Sequence, residues 1–224
     1  MESKEFKALK EQLLSCRRNG FDRMDAAERS AMESYCTDYK AFLDTSKTER
    51  LCAGEVVRLA EQAGYRPYVR GAAVKPGDKV YLCNRGKSVL LAHIGEKPLT
   101  EGVQIAAAHI DSPRLDLKPN PLYEDGELAY FKTHYYGGIR KYQWGTMPLA
   151  IHGVFSRADG TTVSVNVGED ENDPVFCITD LLPHLGAEQN ARPLKDGIKA
   201  EELNILIGSD AVDDENIKLS VIHI

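Results

Sequence analysis

The sequence predicts an α/β fold in two parts. Helices and a sheet occupy residues 1–114, and a β-rich region occupies residues 115–216. Three observations predict this. Apolar residues recur at helical spacing through the first 65 residues. Short apolar runs separated by turn residues follow, as expected for strands covered by helices. Beyond Pro121 the runs alternate with period two and are joined by glycine-bearing turns.

The elements follow in order. Phe6, Leu9, Leu13 and Leu14 share one helical face, and Asn19-Gly20 stops that helix. Asp25 is a candidate N-cap for a second helix over Ala26–Leu43. A third starts near Thr45-Ser46, with Thr48 and Glu49 in its first turn. It carries Leu51, Val56, Leu59 and Ala60 and closes at Gly64. Lys79–Cys83 and Ser88–Ile94 flank Asn84-Arg-Gly86, a hairpin signal. Val103–Ile110 reads as a third strand, the most buried in character. Further strands are expected over Glu127–Tyr135, Leu149–Phe155, Thr161–Val167 and Leu203–Ile207. The acidic run Glu169-Asp-Glu-Asn-Asp173 reads as a solvated loop, and Asp180–Leu185 as a short helix or turn. Residues 217–224 are apolar and periodic with no stop signal, which leads us to expect a chain that is the front part of a larger enzyme.

Composition excludes several function classes. At 224 residues, 42% of them hydrophobic and 28% charged, the chain is ordinary globular protein. A net charge of −6, with no basic block, argues against a nucleic-acid partner. No run approaches the ~20 apolar residues that span a bilayer, and no apolar leader opens the chain, so no membrane partner and no signal peptide are expected. Five dispersed cysteines without a Cys-x-x-Cys fit reduced thiols and a cytoplasmic location. Gly86-Lys87-Ser88 is no phosphate loop, because Tyr81 stands where the first glycine is needed and a strand follows.

The chemistry concentrates in Ala106-Ala-Ala-His109-Ile-Asp111-Ser-Pro-Arg-Leu-Asp116. An apolar run delivers a histidine, and a carboxylate follows two residues later. In an extended chain both point to one side, so His109 can bind a metal while Asp111 orients the imidazole or lies near the ion. A core histidine bonded to a carboxylate remains the other reading. A catalytic zinc usually takes three protein ligands, and six histidines without a His-Glu-x-x-His leave the remaining ones unassigned. Alone, His184 in Leu181-Leu-Pro-His-Leu185 reads as structural, as do His93 and His152. Gly137-Gly138 permits positive φ or a close backbone approach, and Tyr142 and Trp144 suit either a subunit contact or the core.

Ala107-Ala-His-Ile-Asp-Ser-Pro-Arg-Leu-Asp-Leu-Lys-Pro-Asn120 resembles the His-x-Asp-Ser-Pro segment of the aspartyl-aminopeptidase-like zinc metallopeptidases. Phe42-Leu-Asp-Thr-Ser-Lys-Thr-Glu49, Tyr136-Gly-Gly-Ile139 with Trp144, and Asp180-Leu-Leu-Pro-His-Leu185 resemble further segments of that family, in the same order. The resemblance implies a metalloaminopeptidase acting on peptides with a free N-terminus, an acidic first residue being characteristic of part of the family. It implies two zinc ions, His109 as a ligand and Asp111 as the catalytic carboxylate that steadies it. It implies that His184 binds metal and reaches a neighbouring subunit. It also implies a homo-oligomer, a dimer building a tetrahedral dodecamer. Residues 1–114 would be the first part of an α/β metallopeptidase domain, residues 115–216 an inserted dimerisation domain, and residues 217–224 the return to the peptidase domain. The family's bridging Asp, its Glu general base and its last His come later, in chains about twice this length. Asp213-Asp214-Glu215 precedes the point where that second catalytic stretch begins. An incomplete and inactive fragment is therefore expected. The alternatives are a non-catalytic oligomerisation or regulatory module that kept the fold, or a single-zinc hydrolase completed by His184 and unrecognised carboxylates.

Overall fold

The computed structural model describes residues 4–15 and 19–209. They form a mixed α/β protein that divides into two compact units, Met1–Ile110 and Asp111–Ile224.

The first unit opens with α1 (Lys4–Leu13) and a single 3-10 turn, Gly20–Arg23, capped by Asn19. Helix α2 (Ala26–Thr45) starts at Asp25, whose carboxylate accepts from the Glu28 N–H while the Glu28 side chain accepts from the Asp25 N–H. This reciprocal box satisfies two donors that a helix start leaves over. Helix α3 (Glu49–Gln62) is capped by the Thr48 hydroxyl and ends before Gly64, at φ +84°. Its buried face, Cys52, Ala53 and Ala60, is small, which lets the helix lie close on a sheet.

That sheet has three strands in sequence order: β1 (Arg66–Pro67), β2 (Lys79–Asn84) and β3 (Ser88–His93). β2 and β3 form the expected hairpin, with Asn84 opposite Ser88. Arg85 and Gly86 both take positive φ in its turn, so Gly86-Lys87-Ser88 is a hairpin bend and not a phosphate cradle. β1 pairs parallel to β2.

Val103–Ile110 is the main correction. The segment is not a strand, and Val103 and Ile105 are 61% and 81% exposed. Sheet order ends at β3, so among the described residues no neighbour supplies the ladder that a buried strand requires.

The second unit is built on an antiparallel sheet ordered β4-β5-β9-β8. Its strands are β4 (Arg114–Asp125), β5 (Leu128–Tyr136), β8 (Cys177–Ile178) and β9 (Ile205–Gly208). A separate ribbon pairs β6 (Ile151–Ser156) with β7 (Thr162–Val167). The core gathers Ala129, Phe176, Ile178, Ile198, Leu203 and Ile205, with Trp144 and Ile151 packed against it. Trp144 thus belongs to this core, on the single-turn helix α4 (Lys141–Trp144). The long connection into β9 holds α5 (Ala187–Asn190) and two 3-10 turns. The acidic run is a loop in which Asp173 accepts from the N–H groups of Gly168 and Asp170.

β4 was not foreseen. Pro119 and Pro121 argue against a ladder, because proline has no N–H to donate. The strand accommodates both at a bulge, where its register with β5 shifts between Leu117 and Leu122. Residues 217–224, Asp213-Asp214-Glu215 and His223 lie outside the described residues.

Candidate metal centre

Asp111 opens the second unit, half-buried, three residues before β4 begins. The pairing of β4 with β5 sets Arg114 opposite Tyr136. The Tyr136 hydroxyl donates to Asp111 Oδ2 at 2.7 Å. The Arg114 guanidinium lies 4.0 Å from the centre of the Tyr136 ring, within cation–π range. Arg114 is held in turn: its Nε donates to Asp116 Oδ1 at 2.7 Å and its Nη1 to the Ser112 carbonyl at 3.4 Å.

Directly after Tyr136 the chain turns through Gly137 at φ +79°, a conformation that side-chain-bearing residues rarely adopt. A Cβ placed there would stand 3.6 Å from Pro113 Cα. One end of the β4–β5 pair therefore packs the Tyr-Gly-Gly bend beside the Asp-Ser-Pro segment, and the two motifs share one place.

His109 is exposed, at the end of the irregular segment that leads to Asp111. Imidazole nitrogen and carboxylate oxygen are both donors that zinc accepts. The donor chemistry of His109-x-Asp111 fits zinc in kind. In number it falls short, because among the described residues no three His, Cys, Asp or Glu side chains gather where an ion could sit. The described residues thus offer part of a zinc donor set.

His184 is exposed, on a turn that the Leu185 N–H closes onto the Leu182 carbonyl at 2.8 Å. Leu181, Leu182 and Leu185 around it are 55%, 66% and 71% exposed. That excludes a core histidine in this structure. His152 does behave structurally: its Nε2 lies 2.8 Å from Glu169 Oε1 and its Nδ1 is buried. Reading motifs alone missed Arg114 and Tyr136 as a unit. The signal was available only to a reader who allowed a strand through Pro119 and Pro121.

A family model described as aminopeptidase I zinc metalloprotease (M18) matches residues 42–220. The chain belongs to the M18 family. It is 49% identical over 215 residues to a probable M18 family aminopeptidase 1 of Clostridium acetobutylicum, spanning 94% of this chain and 46% of that protein. It is 42% identical over 200 residues to the corresponding protein of Thermotoga neapolitana, spanning 88% of this chain and 43% of the relative. The crystal structure of an M18 family aminopeptidase from Thermotoga maritima superposes with a TM-score of 0.84 at 38% identity, over 92% of this chain and 45% of that one. The M18 relatives share the mixed α/β architecture seen here, and this chain spans about half their length. The match to a zinc metalloprotease family supports zinc as the metal.

Proposed function

We propose that the protein is a zinc-dependent aminopeptidase that removes N-terminal residues, acidic ones among them, from peptides. One observation carries this reading: a His-x-Asp pair whose carboxylate is fixed by Tyr136, in a chain of the M18 family. His109 would bind zinc, and Asp111 would steady the imidazole and set which ring nitrogen faces the metal. Bound there, zinc would polarise a scissile carbonyl and acidify a water. Two ions are the expected complement. A preference for an acidic first residue would rest on residues other than Arg114, whose guanidinium is engaged by Asp116 and Tyr136.

Residues 115–216 would form the dimerisation domain of a homo-oligomer, a dimer building a dodecamer. The exposed leucines around His184 are the surface such a partner would cover, and His184 would reach the partner's metal. Among the described residues Cys36, Cys52, Cys83 and Cys177 are free thiols, which suits a cytoplasmic location. No helix of the described residues is long and apolar enough to cross a membrane.

A second reading, a non-catalytic oligomerisation module, is favoured by the lack, among the described residues, of a three-donor cluster. It also accounts for the exposed leucines. The test uses full-length protein and aminoacyl arylamides with Glu, Asp or Leu at a free N-terminus, beside N-acetylated controls. Hydrolysis of the free amines only, lost on chelation and regained with zinc, is expected. Zinc-loaded protein without turnover would favour the module. The 224-residue chain by itself is expected to turn over nothing, since its described residues do not close a three-ligand site.

A further inference from the structure

We propose that Tyr136 is a positioning residue that holds the Asp111 carboxylate in one orientation, and that Arg114 and Asp116 hold Tyr136. The inference rests on the zinc reading above and deepens it.

Asp111 precedes β4, where no ladder fixes it, and it is only half-buried. A short carboxylate in that setting rotates about χ1 and χ2 unless something holds it. The bond from Tyr136 to Oδ2 is one such hold. Bonds to an ionised acceptor are roughly twice as strong as neutral ones. With Oδ2 so engaged, the carboxylate is restrained relative to the β4–β5 pair.

The phenol is itself located. β5 delivers the Tyr136 backbone opposite Arg114, and the guanidinium 4.0 Å from the ring centre limits how the ring tilts. Arg114 cannot swing away without releasing Asp116 and the Ser112 carbonyl. The cluster ties two strands to the residues just after His109. All its members come from one short stretch of β4, its approach, and the facing end of β5.

The experiment uses full-length, zinc-loaded protein. Zinc affinity is measured by chelator competition for wild type, Tyr136→Phe, Asp111→Ala and the double variant. Tyr136→Phe keeps the ring beneath Arg114 and removes only the hydroxyl. It should weaken zinc binding about 10-fold, within the ~10–100-fold range for partners of metal ligands. kcat should fall, KM should hold, and the thermal midpoint should stay near wild type. The double variant should bind no more weakly than Asp111→Ala, because Tyr136 acts only through that carboxylate. Unchanged zinc affinity in Tyr136→Phe, or a loss that adds fully to that of Asp111→Ala, overturns the positioning role alone. A wild-type protein that holds no zinc overturns this proposal and the functional reading together.

Discussion

Arg114 and Tyr136 face each other across the β4–β5 pair, guanidinium over ring at 4.0 Å, with Asp116 holding the Arg114 Nε from the same strand. The contact joins the start of one strand to the end of the other. Stacked arginine is not interchangeable with lysine, whose point charge lacks the planar fork. Arg114→Met should therefore destabilise the protein by about 1 kcal/mol, in the usual range for a partly exposed cation–π pair. Arg114→Lys should recover part of that. Chemical unfolding of the three proteins measures the difference, and identical midpoints would mean that the stack contributes nothing.

Thr133, on the same strand and 1% exposed, donates its hydroxyl to the Leu203 carbonyl, and Leu203 is fully buried. The bond ties β5 to the segment entering β9. Thr133→Val keeps the shape and removes the donor, leaving a buried carbonyl oxygen without that partner. A loss of about 1–3 kcal/mol is expected. Urea unfolding with an unchanged m-value would register it, and a midpoint equal to wild type would mean that the Leu203 carbonyl finds another donor.

Local chemistry made the first unit readable. Asp25 and Gly64 each mark a helix end by a side-chain or backbone property of that one residue. The start of α3 was placed too early, near Thr45-Ser46: Thr45 closes α2, Ser46 is its C-cap, and the Thr48 hydroxyl caps α3. The hairpin of β2 and β3 was equally legible from its turn. Two elements were not. Val103–Ile110 has a strand's composition, but a strand is defined by its neighbours, and the sequence does not show who they are. β4 hides behind Pro119 and Pro121, and only the bulge at Leu117 and Leu122 reconciles them with a ladder. The candidate site divides the same way. His109 and Asp111 stand out as a spacing, whereas Tyr136 and Arg114 become partners only through a register.

Asp173 stabilises the turn after β7. Its carboxyl lies below the ordinary range, because the Gly168 N–H and then the Asp170 N–H donate to it. A group whose folded value is lowered contributes fully above its unfolded value, about pH 4, and that contribution is lost as pH falls through the folded value. Asp173→Asn should therefore lower the thermal midpoint at neutral pH. The gap to wild type should close as the medium is made more acid than about pH 4. A gap that persists unchanged through strong acid would assign the effect to shape and not to charge.

The exposed turn at His184 yields the last prediction. A histidine between Leu182 and Leu185, with both leucines more than half exposed, has no core to serve among the described residues. If its work lies in a partner's metal site, as proposed, the wild-type pair carries His109 and His184 to each centre from different chains. Substituting either residue with alanine should then inactivate the full-length protein. Mixed oligomers should behave differently. A His109→Ala subunit beside a His184→Ala subunit places both lesions in one centre and leaves the other intact. Activity should return, to about half of wild type in each mixed dimer if the centres work independently. Mixing after mild dissociation, with exchange verified by two affinity tags, makes the measurement. Exchange without recovered activity would place His184 in service of its own chain.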